Sequence, residues 1–262
     1  MKAMIFAAGL GTRLKPITDT LPKALVPVGG EPLLSIVIHR LQERGIDDFV
    51  VNVHHFAEQI VEYILDNQGF GSRVAISDET GRLLETGGGI LHAREALLSG
   101  EREDGCFIVH NVDIISDLDV GWFVRQWRPD SLAVLLVSER DTQRYLLFDD
   151  DMRLVGWTNV STGEVRSPYP DLDPARCRRY AFSGIHLVSN GVFDVMESEG
   201  MGERFPIMDF YLKVCGRFPV YGAVPESLRM IDVGKINSLD QAESLLLALR
   251  RSCPEDGASQ RF

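Results

Sequence analysis

The run Ala7-Ala8-Gly9-Leu10-Gly11-Thr12-Arg13-Leu14 constrains this chain more than any other stretch. A short apolar segment, Ala3-Met4-Ile5-Phe6, precedes it and reads as a buried strand feeding a glycine-bearing loop. Glycines at positions 9 and 11 allow a tight turn and let backbone N–H groups approach a ligand. Arg13 adds a long cation to the loop, and Lys23 follows within Pro22-Lys23-Ala24-Leu25-Val26-Pro27. Residues 1–30 carry Lys2, Arg13, Lys15 and Lys23 against Asp19 alone, in a chain whose formal net charge is −11. A basic pocket opening a strongly acidic protein points to a small polyphosphate and away from a nucleic-acid surface.

Two common phosphate motifs do not match. Gly9-x-Gly11 begins a dinucleotide fingerprint, but the third glycine, which permits close helix–strand packing, would fall at Leu14. Nor does the chain contain the Gly-x-x-x-x-Gly-Lys-[Ser/Thr] of a P-loop.

A chain of 262 residues, 45% hydrophobic and 25% charged, has the size and composition of one large globular α/β domain. Cys106, Cys177, Cys215 and Cys253 form no Cys-x-x-Cys pair, which argues against zinc and fits reduced thiols. The apolar start is too short for a signal-peptide core, and no run approaches membrane-spanning length. A cytoplasmic protein with neither membrane nor nucleic-acid partners is expected, and its oligomeric state stays open.

Apolar runs and helical periodicity alternate through the first half, the pattern of a mostly parallel sheet with crossover helices. Pro32 is expected at the first position of a helix closed by Gly45, with Leu33, Leu34, Val37 and Leu41 on one face. Residues 49–53 and 73–77 read as strands around an amphipathic helix at 57–66. Gly87-Gly88-Gly89 is expected to open a helix to about Leu98, and residues 106–110 to form the central strand. In the second half, 145–148 and 153–158 read as a hairpin about Asp149-Asp150-Asp151. Residues 159–176, with Pro168, Pro170 and Pro174, read as a long irregular excursion. Strands at 132–137, 180–188 and 228–232, helices started by Asn190 and Pro206, and a capping box Ser238-x-x-Gln241 complete the pattern. One domain over 1–252 is expected, with halves at about 1–118 and 119–240 and a flexible tail at 253–262.

Gly-Leu-Gly-Thr-Arg-Leu followed by Pro-Lys-Ala-Leu-Val-Pro resembles the signature of sugar-1-phosphate nucleotidyltransferases, written G-x-G-x-R and then P-K-P-L. Ala24 stands where proline is more usual. Leu84-Glu85-Thr86-Gly87-Gly88-Gly89-Ile90 resembles the family's base-recognition segment, and with Phe182-Ser183-Gly184-Ile185-His186 looks most like the N-acetylmuramate 1-phosphate uridylyltransferases. The resemblance implies a Rossmann-like three-layer α/β fold, mostly parallel with a smaller antiparallel sugar-binding subregion: the nucleotide-diphospho-sugar transferase fold. It implies transfer of a nucleotidyl group, from UTP or alternatively GTP, dTTP or CTP, to a sugar 1-phosphate with release of pyrophosphate. An alternative from another class is a silent regulatory protein that binds nucleotide sugars.

The residue roles follow from the same resemblance. Arg13 and Lys23 would be catalytic cations. The nucleotide would lie on Ala8, Gly9, Gly11, Thr12, Arg13, Lys23, Glu85, Gly87 and Gly88. Asp113 and Asp232, each ending a strand-like run, would hold Mg2+, and Ser183 and Gly184 would line the acceptor pocket. A Glu-Lys-Pro that binds the sugar phosphate in glucose-accepting members is missing, and Gly156-Trp157-Thr158-Asn159 stands near its place. The cluster Arg166, Arg176, Arg178 and Arg179 is a substitute or a solvated loop face. The six histidines receive no role, because in-line displacement needs no general base.

Overall fold

Alternation along the first strand decides the layering. In the computed structural model, which describes residues 1–102 and 104–252, β1 spans Ala3–Phe6. Ala3 and Ile5 enter one buried cluster and Met4 enters another, on opposite faces of the strand. After β1 come the two-residue pair β2 (Pro27–Val28) and β3 (Glu31–Pro32), helix α1 (Leu33–Gln42), β4 (Asp48–Val53), α2 (Ala57–Asp66) and β5 (Arg73–Asp78). Helices α3 (Glu85–His92) and α4 (Arg94–Leu98) lead to β6 (Cys106–Asn111), β7 (Ile114–Ser116) and α5 (Val120–Val124). Strands β8 (Ala133–Ser138), β9 (Arg144–Phe148), β10 (Leu154–Asn159), β11 (Glu164–Arg166) and β12 (Arg178–Ser189) follow. Helices α6 (Val192–Ser198) and α7 (Ile207–Val214), strands β13 (Val220–Ala223) and β14 (Met230–Asp232), and helix α8 (Leu239–Ser252) end the described chain.

The main sheet runs β11-β10-β9-β12-β6-β1-β4-β5, with β8 joined to β12 and β13 to β8. Strands β6, β1, β4 and β5 are mutually parallel; the nearly continuous apolar runs of β6, β1 and β4 reflect burial on both faces, whereas β5 is the more exposed edge. One face is covered through Leu33 and Val37 of α1, Ile60 of α2 and Leu245 of α8. The other is covered through Ile90 of α3, Leu97 of α4, Phe193 of α6 and Phe210 of α7. This is the three-layer α/β class expected. Its antiparallel subregion is β9, β10 and β11, attached through the first half of β12. Strand β12 shifts register between Phe182 and His186, around Gly184 at φ +74°, so its second half pairs with β6 instead.

Several local expectations are corrected. Pro32 pairs with Pro27 and stands just before α1, not inside it. Helix α3 starts at Glu85, ahead of the glycines, and a break at Ala93 separates it from α4. The excursion at 159–176 is not wholly irregular, since β11 folds back onto β10 about Gly163 at φ +73°. Ser238 turns its hydroxyl to the Lys235 carbonyl at 2.6 Å instead of capping α8. The expected tail at 253–262, with Cys253, lies outside the described residues.

Candidate active site

The loop after β1 is anchored from below. Leu14 is fully buried, and its N–H closes a turn onto the Gly11 carbonyl at 2.8 Å, where the Thr18 hydroxyl also donates at 2.8 Å. Gly11 sits at φ +63°, and a Cβ there would lie 2.8 Å from Thr18 Cγ2 and 3.1 Å from Lys23 Cβ. The N–H groups of Ala7 and Ala8 donate to Asn52 Oδ1 on β4 at 2.7 and 3.3 Å. Asn52 Nδ2 donates to Glu79 Oε1 at 2.7 Å, and Glu79 Oε2 accepts from Leu84 N–H at 3.2 Å. Two buried side chains therefore join the loop after β1 to the start of α3. Between these edges lies a cavity of about 420 Å³, whose lining includes Ala8, Gly9, Lys23, Glu85, Thr86, Asn111 and Asp113.

Asp113 lines this cavity, and a second carboxylate stands near it. Asp113 follows β6, and Asp232 ends β14, which pairs antiparallel with β7 so that Asp232 stands opposite Ile114. Val233 N–H donates to the Asp113 carbonyl at 2.8 Å, locking the two loops together. Desolvation by surrounding protein, then the like charge of Asp113, raises the Asp232 carboxyl above its ordinary range, although the residue keeps an open edge to solvent. Lys23, Arg13 and Arg140 oppose that rise. Lys23 is buried and pairs directly with Asp113. Arg13 is exposed, with its guanidinium over Gly234, where a Cβ would lie 2.7 Å from Arg13 Nη2 and 2.7 Å from Asp232 Oδ1. Among the described residues no cluster of three or more His, Cys, Asp or Glu suited to a metal forms. Two carboxylates suffice for magnesium, which keeps waters and takes substrate phosphate oxygens.

Other expected residues fall elsewhere. Gly87 and Gly88 are buried with both N–H groups on the Phe205 carbonyl, at 2.8 and 3.2 Å. A Cβ on Gly87 would lie 2.2 Å from the Phe205 ring, and one on Gly88 2.1 Å from the Glu203 carbonyl oxygen. These glycines exist for close packing, and their N–H groups do not face the cavity; Glu85 and Thr86 line it in their stead. Ser183, expected to line an acceptor pocket, is instead 1% exposed with its hydroxyl 3.4 Å from Ser138 Oγ. Gly184 remains close to the site, since a Cβ there would lie 2.8 Å from Asn111 Nδ2. Thr12 is exposed on the loop.

A family model described as nucleotidyl transferase matches residues 2–248. The chain belongs to that family. It is 32% identical over 238 residues to an N-acetylmuramate alpha-1-phosphate uridylyltransferase of Caulobacter vibrioides, covering 87% of this chain and 90% of that protein. A UTP–glucose-1-phosphate uridylyltransferase of Synechocystis is 28% identical over 92% of this chain and 62% of its own length. The crystal structure of HddC from Yersinia pseudotuberculosis complexed with GMP-PN superposes with a TM-score of 0.71 at 23% identity, over 94% of this chain and 99% of that one. The chain is thus an enzyme of the sugar-1-phosphate nucleotidyltransferase family.

For this nucleotidyl transferase, sequence reasoning missed Asn52, Glu79, Asn111 and Gly234. Asn52 and Glu79 are each 3% exposed. An asparagine amid the apolar run Phe49-Val50-Val51-Asn52-Val53 was the available signal, because a buried amide needs partners. Among the described residues, no helix is long and apolar enough to cross a membrane.

Proposed function

We propose that this enzyme transfers a uridylyl group from UTP to a sugar 1-phosphate, with magnesium held by Asp113 and Asp232. The observation that carries the reading is the meeting of that carboxylate pair with Lys23 and Arg13 beside the cavity lined by Ala8, Glu85, Lys23 and Asp113. A phosphate oxygen of the acceptor attacks the α-phosphorus of the triphosphate. The bond from the α-phosphorus to its bridging oxygen breaks, and pyrophosphate leaves with that electron pair. The attacking oxygen is already ionised, so no protein nucleophile or base is required. The protein supplies alignment and fixed counter-charge. Lys23 moves its charge from Asp113 to the α-phosphate as the donor arrives, and Arg13 neutralises the departing pyrophosphate. Asp113 and Asp232 would hold the magnesium, which when bound would supply further neutralisation of phosphate charge.

The uracil assignment rests on the two relatives named uridylyltransferases. Pyrophosphate release from UTP, dTTP, CTP, GTP and ATP, each crossed with N-acetylmuramate 1-phosphate and glucose 1-phosphate, tests the proposal. UTP is expected to give the highest kcat/KM, and preference for a purine triphosphate overturns the base. Asp113→Asn and Asp232→Asn are each expected to lower turnover by at least about a hundredfold with the fold intact. Ordinary turnover by either variant at millimolar magnesium removes the metal assignment.

A further inference from the structure

A cation from beyond β8 acts on Asp232. Arg140 lies two residues beyond the end of β8, and its Nη2 donates to the Phe182 carbonyl at 2.9 Å. Phe182 is two residues from Gly184, which abuts Asn111, and Asn111 lines the main cavity beside Asp113. These contacts tie Arg140 to the segment of β12 that reaches Asn111 and the edge of the main cavity. The charge of Arg140 reaches Asp232, as do those of Arg13 and Lys23.

The guanidinium is also available. Among the described residues the Phe182 carbonyl is its one hydrogen-bond partner and it forms no ion pair, which leaves most of its five N–H donors free. Arg140 lines a second hollow of about 710 Å³ with Tyr145, Tyr180, Glu139, Asp141, Arg178 and Arg179. Of the two other arginines, Arg178 pairs with Asp150 and Arg179 donates to the Pro174 carbonyl. The segment Gly156-Trp157-Thr158-Asn159, near the place of a Glu-Lys-Pro, carries no cation of its own, and Arg166, which lies over the Trp157 ring, pairs with Asp209. Thr158 there is buried, and its hydroxyl donates to the Glu164 carbonyl at 3.1 Å.

The electrostatic need is specific. A phosphate monoester carries about −1.5 to −2 near neutral pH and must approach another phosphate of like charge. Arg13 and Lys23 belong to the donor loop and are engaged by the triphosphate. We propose that Arg140 grips the phosphate of the acceptor hexose 1-phosphate, with the sugar ring in the hollow walled by Tyr145 and Tyr180. A planar guanidinium suits this task, because two parallel N–H bonds to phosphate oxygens fix orientation as well as charge. The assignment rests on the proposed transferase reading.

The test is steady-state kinetics of Arg140→Ala and Arg140→Lys with the best acceptor from the panel, paired with calorimetry of that sugar phosphate. For Arg140→Ala the KM of the sugar phosphate is expected to rise about tenfold or more, as loss of a charge-assisted pair requires. The KM of the triphosphate and the melting temperature stay near their original values, and lysine recovers part of the loss. An unchanged acceptor KM, or equal rises in both KM values, overturns the assignment. If the unmodified protein turns over no pair, the transferase reading fails by itself. Calorimetry with glucose 1-phosphate then decides on Arg140: binding lost in Arg140→Ala upholds the anchor, whereas equal affinity, or no binding by the unmodified protein, overturns it.

Discussion

At the scale of single residues, Gly234 shows how closely the charged groups are set. A methyl group there would enter the space of Arg13 Nη2 and Asp232 Oδ1, each 2.7 Å away. Both groups are ends of charged side chains, so Gly234→Ala displaces them without breaking the core. Turnover is expected to fall about 10- to 100-fold, the scale of loss from a misplacement near 1 Å. The melting temperature should change little. Full turnover in Gly234→Ala would show that the position of Arg13 over this glycine has no part in the reaction. Asp113 was legible in the sequence as the carboxylate after a central strand. Its partnership with Asp232 was legible only through resemblance, because β7 and β14 have three residues each and leave no periodicity to read. Lys23 illustrates the opposite case. Pro22 and Pro27 frame it in the sequence, and the structure finds it buried.

At the scale of elements, α3 carries the clearest correction. Three consecutive glycines read as a base-recognition helix start, but the constraint on Gly87 and Gly88 is the segment 203–205 packed against them. That contact joins residues more than a hundred positions apart, and no local pattern encodes it. The strand β4 was legible from its apolar run, whereas the asparagine within it became meaningful only when Ala7, Ala8 and Glu79 were found around its amide. The packing role of Gly88 has a measurable consequence. Gly88→Ala puts a methyl group 2.1 Å from a backbone oxygen, which cannot swing aside as a side chain would. Overpacking of this kind costs about 1–3 kcal/mol. Thermal unfolding should register that loss, together with a rise in the triphosphate KM as α3 shifts against the loop after β1. An unchanged melting temperature with only the KM raised would return Gly88 to the base-binding surface.

At the scale of the whole molecule, the two-faced sheet buries groups whose ionisation opposes the fold. The parallel half was legible because β1, β4 and β6 are nearly continuous apolar runs. The joining of the halves was not, since it depends on one long strand changing partners at Gly184. That strand, β12, carries His186, and the adjacent β6 carries His110, at 1% and 7% exposure. Burial pushes the His186 imidazole down to about 3 and His110 to about 4, against 6.5 for the free group. Both are neutral in the fold, while the unfolded chain protonates them below about 6.5, so stability is complete above that pH and is lost on acidification. Each histidine withdraws about 2 kcal/mol by pH 5, from 1.5 units at about 1.36 kcal/mol per unit. General charge repulsion has the opposite sign, because acidification toward the sequence pI of 5.0 relaxes a net charge of −11. Denaturant unfolding between pH 7.5 and 5 separates the two effects. The unmodified protein is expected to lose stability as the pH falls, and His186→Gln, which can still meet the Tyr211 hydroxyl, should show a shallower loss whatever its stability at pH 7.5. Constant or rising stability toward pH 5 would mean that relief of repulsion outweighs the buried imidazoles, and equal slopes for the two proteins would remove His186 from the acid response.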